Sequence, residues 1–506
     1  SEGITGSGGV PGSTPLKLTN GLMTSEWFQD GQGTIRIEGV ARGGPAIDLT
    51  RRPDDPTHPR GRFLFLKEES EALWSLGQAP THQGAYESSL SDIGENCLLF
   101  KAKHNGIALE ARISLIADEA VEITNLKVIN LENRPRKILI ATLREWVLNE
   151  TGVELRDASY NALHVGTWYV NALNAIFAQN RLLKGGARRG KDRRLSPEIG
   201  FHAIGAHDSA NVTILGYEDV KSRFYGMGAL HAPDSLLGLI SPRKPEDEGL
   251  LYGFEPCASI QLEVSLAASS LAELIIVDGW ASNMGLATAA VSKYLAKDAI
   301  SPETLNHALS RQRNLIMPPA PKDYRYQFAG DGRSLSVEIG TPRPYAHVIA
   351  NSLGQGAVMT NDGDIFSFHG NSRLNSFSPF RMGDGRSAPA GQMFYVYDLA
   401  KGIAYSPSFT PLRRHDSVYD VTFSPGMACY RSNKDELEIE LSIFVAPNAP
   451  IEFKLLKIRN NSSIPRLLQI VPAIEIILAE TPSESLGAIT SRVEEDLKAI
   501  YFQNPS

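Results

Sequence analysis

The stretch 120–151, AVEITNLKVINLENRPRKILIATLREWVLNET, occurs again at 450–481 as PIEFKLLKIRNNSSIPRLLQIVPAIEIILAET. The two align without a gap. Glu122, Leu126, Lys127, Asn130, Pro135, Arg136, Ile140, Glu145, Leu148, Glu150 and Thr151 recur 330 positions on as Glu452, Leu456, Lys457, Asn460, Pro465, Arg466, Ile470, Glu475, Leu478, Glu480 and Thr481. Apolar residues alternate, Val121 with Ile123 and then Leu126 with Val128, which is the period of a strand buried on one face. Asn133-Arg134-Pro135-Arg136 and Ser463-Ile464-Pro465-Arg466 interrupt the alternation where a hairpin turns. The unit is strand, turn, strand, present twice, and a repeat on this scale limits the fold more than any other feature of the chain.

A chain of 506 residues is too long for one ordinary domain, and two to four are expected. The formal charge of -7 gives no support for nucleic-acid binding, which usually needs a basic face. No run of about 18 apolar residues suggests a membrane span. The N-terminus, SEGITGSGGVPGS, is Gly/Ser-rich and lacks the basic-then-apolar order of a signal peptide. Cys97, Cys257 and Cys429 are widely spaced and form no CxxC, as expected of buried free thiols in a reducing compartment rather than a disulfide or metal site.

In chain order, TIRIEGV, RFLFLKE, CLLFKAK, LEARISLIA, NVTILGY and ELIIVDGW are short, β-rich and separated by Gly, Asn, Asp or Pro, so residues 15–281 are expected to form one all-β sandwich after a flexible lead-in, 1–14. RLLKGGARRGKDRRL, which carries seven basic residues from Arg181 to Arg194, reads as a solvated loop, with an anion contact as the sharper alternative. The period then changes. NMGLATAAVSKYLAKD and SPETLNHALSRQRNLI are helical in composition, Ser301-Pro302 offers a cap with Pro in the first turn, and Met317-Pro-Pro-Ala-Pro ends the segment, so 282–322 is expected to be a helical and Pro-rich linker. Strand patterns resume at 323–506, and earlier features return in order: Asn20-Gly-Leu22 as Asn351-Ser-Leu353, GTIRIEG as GDIFSFHG, Trp74-Ser75 as Tyr405-Ser406. The expected architecture is therefore dominated by β-structure, with two tandem large antiparallel sandwiches joined by a short helical linker. Few residues follow Thr481, whereas the first copy continues well past Thr151, so the second sandwich is expected to be incomplete here and finished by further polypeptide.

GAVMTNDGDIFSFHGNSRLNSFSPF, residues 356–380, resembles the N-terminal β-sandwich, of supersandwich type, of the glycoside phosphorylases of glycoside hydrolase family 94, above all cyclic β-1,2-glucan synthases and 1,2-β-oligoglucan phosphorylases. Asn371-Ser372-Arg373 and Asn375 match the family's Asn-Ser-Arg-x-Asn, while Ser378-Pro379-Phe380 replaces its Thr-Pro-Trp. MFYVYDLAKGIAYSPSFTPLRRHDSVYDVTFSPGMACY resembles a later family stretch, with Asp416-Ser417 in place of Gly-x-Gly; across the two segments, Phe366 in the first and Tyr405 in the second stand where Trp is common. Trp74-Ser75, Asn133-Arg134-Pro135-Arg136 and the basic loop before Phe201-His202 fit the sandwich that precedes it in cyclic β-1,2-glucan synthases. The resemblance implies inverting phosphorolysis or its reverse, with an Asp general acid in an (α/α)6 barrel C-terminal to the sandwich. It implies no cofactor, with inorganic phosphate or glucose 1-phosphate as a substrate of the parent enzyme. The expected partners are a β-glucan or gluco-oligosaccharide and the catalytic barrel, as a domain or a separate chain, with a homodimer left open. The expected location is the cytoplasm, or the cytoplasmic face of the inner membrane. The 506-residue chain alone is expected to be a non-catalytic scaffold; a free-standing carbohydrate-binding or assembly module is the rival reading.

His369, Asn371, Arg373 and Asn375 form the sharpest polar cluster, since sugar hydroxyls need fixed planar donors and acceptors. The plainer reading is a self-built loop. Arg413, Arg414 and His415 form a second cluster that could contact substrate or phosphate, or simply be a solvated basic turn. Glu145, Glu150, Glu475 and Glu480 invite a carboxylate-pair reading, but their presence in both copies favours a structural role. Asn361, Asp362 and Asp364 look like a cation loop but lack its closing Glu, so turn chemistry is the expectation. Trp27, Trp74, Trp168 and Trp280 could stack on sugar rings, with core packing as the plainer role, and Tyr419 is expected in the core.

Overall fold

The structure, a computed structural model, describes residues 14–53, 59–68, 71–82, 87–182, 197–206, 211–247, 249–296, 326–341, 344–371, 376–379, 391–479, 485 and 488–505. The chain divides into two compact units, 1–315 and 316–506. Most of the anticipated linker, including Ser301-Pro302 and the Pro-rich stop, lies outside the described residues, as does most of the basic loop.

In the first unit, alternation sets the layers. Ile107–Leu115 (IALEARISL) buries every second side chain, placing Ile107, Leu109, Ala111 and Ile113 on the inner face. Each fully buried Ile or Leu contributes about 1.5–3 kcal/mol. This strand belongs to an eight-stranded antiparallel sheet, in the order Val165–Val170, Ala175–Asn180, Ile199–Ala206, Leu271–Ala281, Val121–Asn130, Ile107–Leu115, Cys97–His104, Glu87–Asp92. A nine-stranded sheet faces it, running from Leu16–Thr19 through Arg136–Asn149 and Pro256–Leu266 to Val212–Val220. Leu18, Ile35, Leu66, Ile140, Trp146, Ile260 and Leu262 of that sheet pack against Leu98, Phe100, Leu126, Val128 and Ile276 of the other.

On its outer face the eight-stranded sheet is covered by the helix Met284–Tyr294, as its composition predicts. The Asn283 side chain accepts the Leu286 N–H at 3.0 Å, and Ala287 and Val291 pack on Phe177, Phe201 and Val277. The helix Thr151–Leu163 departs from the all-strand reading of 15–281. Its sequence, TGVELRDASYNAL, has no two-residue alternation and holds the helix formers Glu154, Leu155 and Ala158, whereas the strand before it ends at Asn149.

The second unit holds a six-stranded sheet (Tyr326–Phe328, Leu335–Val337, Val418–Ser424, Met427–Lys434, Leu437–Val445, Glu452–Asn460), two three-stranded sheets and the hairpin Thr490–Glu494/Ala499–Gln503. Three of its pairings, 427–434 with 437–445, 437–445 with 452–460 and 392–398 with 468–474, match those of the first unit shifted by 330 residues. Glu122 pairs with Leu115 and Glu452 with Val445; Arg144 pairs with Arg62 and Ile474 with Gln392.

Anchoring hydrogen bonds match too. The Asn20 amide donates to the carbonyls of Ile116 and Glu119 at 2.5 and 2.8 Å, and the Asn351 amide donates to those of Ala446 and Ala449 at 2.8 and 2.7 Å. The Asn130 amide caps its turn at the Arg134 carbonyl, 2.7 Å away, as Asn460 does at Ile464, 2.8 Å. Arg136 pairs with Glu68 and bonds the Asn105 carbonyl; Arg466 faces Asp398 at 3.5 Å and bonds the Asp435 carbonyl. The residues that recur in the sequence are those that close turns and pin strands.

Candidate functional site

The strand Ile365–His369 ends at an exposed His369, and the exposed Asn371 donates its N–H to the His369 carbonyl at 2.8 Å. Arg373 and Asn375 lie outside the described residues. The chain then folds back on its own strand: the Phe377 N–H donates to the Ser367 carbonyl at 2.9 Å, and Ser378 Oγ accepts the Ser367 N–H at 3.1 Å.

The second cluster belongs to the opposite end of that strand. The Thr410 N–H donates to the Asp362 carbonyl at 2.7 Å, just before Ile365. Four steps of about 3.4 Å along the strand place His369 roughly 14 Å beyond Ile365, too far for one monosaccharide to bridge. Arg413 is not a solvated arm. It is buried, takes the left-handed conformation (φ 49°), and lays its guanidinium 5.2 Å from the Phe409 ring centre. Arg414 is partly exposed and grips Asp416 with two bonds of 3.0 and 2.9 Å, while Lys434 reaches Asp416 at 3.0 Å. Hydrogen bonds from Arg414 and Lys434 hold the Asp416 carboxyl well below its usual range. His415 is exposed, with its ring edge-on to Phe409 at 5.9 Å, and Tyr419, half-buried, meets the same ring at 5.7 Å.

Asn361, Asp362 and Asp364 build a turn. Asn361 accepts the Tyr345 N–H at 2.7 Å and donates to the Glu338 carbonyl at 2.6 Å; Asp362 accepts the Gly340 N–H at 2.8 Å; Asp364 accepts the Thr360 hydroxyl at 3.2 Å. Among the described residues no cluster of three or more His, Cys, Asp or Glu could hold a metal ion. Glu145 and Glu475 bind backbone. Each accepts a glycine N–H, from Gly61 at 2.7 Å and Gly391 at 3.4 Å, and each returns its own N–H to that glycine's carbonyl at 2.9 Å.

All three cysteines are free. Cys257 is buried, Cys97 and Cys429 are half-buried, and burial raises each thiol above its ordinary value. No helix among the described residues is long and apolar enough to cross a membrane.

A buried ionic network of the first unit lies between its two sheets. Arg62 meets Glu122 at 2.5 Å and Ser25 Oγ at 3.0 Å, and Ser25 donates to Glu122. Arg144 grips both oxygens of Asp278, at 3.0 and 2.8 Å, and Asp278 also accepts His202 Nδ1 at 2.8 Å. His202 Nε2 lies 2.7 Å from the Thr142 hydroxyl, whose oxygen accepts the Ile260 N–H at 3.1 Å. Burial lowers the His202 pKa despite Asp278, so the ring is neutral: Nδ1–H donates to Asp278 and Nε2 accepts from Thr142. For Asp278, burial pushes the pKa up, but Arg144 and His202 outweigh it and the carboxyl sits well below its usual value. Sealed from solvent, this network orders the core.

Glu218, also buried, is pushed up to about 7 by desolvation against the opposing pull of Arg223 and Arg243. The signal for these residues was present in the sequence as charges set inside apolar strand runs: Arg62 before FLFL, Arg144 in TLREWVL, His202 in GFHA and Asp278 in IIVDGW.

One cavity of the first unit, about 500 Å³, is lined by Leu22, Ala120, Trp280, Leu286, Ala290 and Lys293, with Asp118 and Glu119 at its edge. Lys293 bonds Glu119 at 2.5 Å, and the Trp280 indole N–H donates to Glu198 at 3.2 Å. All four candidate tryptophans are buried, and Trp280 borders this cavity.

A sequence profile described as "Glycosyl hydrolase 94, supersandwich domain" matches residues 31–297 and 334–506. A relative from Neurospora crassa, named cellobionic acid phosphorylase, is 24% identical over 268 residues, which is 52% of this chain and 31% of the relative. The chain thus spans about a third of that relative's length. Among solved structures, a bacterial glucoamylase complexed with acarbose aligns at a TM-score of 0.32 and 8% identity, over 57% of this chain and 33% of that one. A polysaccharide lyase aligns at 0.30 and 8%, over 84% and 46%.

Proposed function

Because the chain belongs to the glycosyl hydrolase 94 supersandwich family, we propose that its two units are copies of one sandwich that scaffold, and in part line, the active site of a β-1,2-glucan-processing phosphorylase or cyclic glucan synthase. In this reading the chain is not itself catalytic. One observation carries it: a single supersandwich description fits both units, and the pairings of 107–115 with 121–130 and of 62–67 with 136–149 recur in register after a shift of 330. The Neurospora relative, named a phosphorylase, supports the reaction class. The chemistry belongs to an (α/α)6 domain, whose Asp protonates the glycosidic oxygen while phosphate attacks the anomeric carbon. Inorganic phosphate or glucose 1-phosphate is a substrate there, and no cofactor is called for. The setting is cytoplasmic, in solution or at the inner face of a membrane.

His369, Asn371, Arg373 and Asn375 then meet glucosyl hydroxyls at the barrel. Arg414 and His415 form a separate, second contact surface, and the buried Arg413 holds Phe409 beneath it. The test is to assay the full-length parent protein with phosphate and β-1,2-, β-1,3- and β-1,4-linked oligosaccharides beside the 506-residue chain. Glucose 1-phosphate should appear from β-1,2-linked substrate with the parent alone. Turnover by the 506-residue chain would overturn the scaffold reading.

The Trp280 cavity favours a second reading, a free-standing carbohydrate-binding module. Titration calorimetry of the chain with gluco-oligosaccharides, repeated with Trp280→Ala, tests it.

A further inference from the structure

In the first unit one hairpin belongs to both sheets. Its first strand, Pro256–Leu266, pairs with Arg136–Asn149 in the nine-stranded sheet. Its second, Leu271–Ala281, pairs with Val121–Asn130 in the eight-stranded sheet. The strands it covers are already paired on their other sides, by Arg62–Lys67 and Ile107–Leu115.

Among the described residues the second unit repeats strands that match those before Asn149 in the first, but nothing in it corresponds to that hairpin or to the elements between 151 and 225. Leu468–Ile474 pairs with Gln392–Asp398, and Glu452–Asn460 pairs with Leu437–Val445, in the registers of the first unit. Among the described residues no strand pairs with the other edge of either one. The side chains record the difference. Ile470 is 51% exposed where Ile140 is 0%, Val471 is 40% exposed where Ala141 is 1%, and Ile451 is 47% exposed where Val121 is 2%. Ile474, Phe453 and Leu455 are exposed beside them. Two neighbouring open edges with exposed apolar residues form a template for strand addition.

We propose that the second unit binds a β-hairpin supplied by the parent polypeptide outside residues 1–506, seated across both edges as 256–281 is seated in the first unit. This rests on reading the two units as copies of one sandwich. The first unit specifies the occupant: two antiparallel strands of 11 residues each, the first adding to Leu468–Ile474 and the second to Glu452–Asn460. Pro256–Leu266 buries nearly every residue and Leu271–Ala281 buries its second half, so the occupant must be apolar on both faces over much of its length. The edges offer main-chain hydrogen bonds for affinity, and Ile470, Val471 and Ile474 offer side-chain contacts for register.

The probe is a synthetic peptide of residues 256–281, added to the full 506-residue chain and followed by hydrogen exchange and sedimentation. Without peptide, amides in 452–460 and 468–474 should exchange at least about tenfold faster than those in 121–130 and 136–145. The peptide should slow the second-unit segments about tenfold in a 1:1 complex and leave 121–145 unchanged. The double variant Ile470→Lys/Ile474→Lys should abolish the effect while the exchange of 437–445 stays as it was. Equal protection in the free chain, self-association that protects 468–474, or no response to the peptide would each overturn the proposal. The copy reading is tested apart from the peptide, by whether Asn20→Ala and Asn351→Ala each loosen only the unit that holds the substituted residue.

Discussion

The two units hold a glutamate at one structural position but neutralise it differently. In the first, Glu122 is buried with Arg62 and Ser25, and the charge continues through Arg144 and Asp278 to His202. In the second, Glu452 meets Ser367 and Lys454, and Gln392 replaces the arginine and bonds Ser367. Position 144 is Arg in one unit and its counterpart, 474, is Ile in the other. The network follows the hairpin. Asp278 arrives on Leu271–Ala281, so a unit without that strand has no acid to meet a buried arginine, and it carries an aliphatic side chain there. Burial of a charge in this fold depends on the arrival of its counter-ion from a distant part of the sequence.

The strongest way to break this comparison is to remove one partner. Asp278→Ala leaves Arg144 buried without its carboxylate and should cost the first unit about 3–5 kcal/mol, whereas Gln392→Met should cost the second about 1 kcal/mol. Denaturant unfolding followed by unit-resolved hydrogen exchange checks both. Next come the anchors: Asn20→Ala and Asn351→Ala each lose two bonds to carbonyls and should destabilise their units by similar amounts, about 1–3 kcal/mol.

A pH series sharpens the contrast. The His202 pKa is depressed in the folded state, so the unfolded chain takes up a proton first as pH falls through the ordinary value of 6.5. First-unit stability is therefore full above that pH and should decline below it, by up to about 1.4 kcal/mol per pH unit, and His202→Gln should flatten the slope. The smallest effect is expected at Arg414. Its pair with Asp416 is partly exposed, so Arg414→Ala should change stability by about 0–1 kcal/mol in a thermal melt. Any larger loss seen in the parent protein's activity would then report on binding.

Most of the strand layout was legible because one buried face imposes period two, and Ile107–Leu115 and Leu437–Val445 carry it without a break. The turn anchors were legible because they recur: Asn130 and Asn460 cap matching turns. The helix Thr151–Leu163 was hidden by the strand-rich sequence around it. Arg413 stood in a run of cations, and only the backbone conformation at φ 49° turns it inward onto Phe409. Arg62 and Arg144 stand out as charges inside apolar runs, but the partners that bury them, Glu122 and Asp278, lie far off in the sequence and leave no local mark. The pairing of 136–145 with 256–266, across more than a hundred residues, cannot be read from spacing.

That long closure has a cost during synthesis. The edges at 121–130 and 136–145 emerge from the ribosome well before 256–281 can seal them. At about 5–20 residues per second, the nascent chain holds two sticky apolar borders open for roughly ten seconds. Cellular holdases have that interval in which to act on this protein, and crowding of neighbouring nascent chains on one messenger RNA would be most harmful within it.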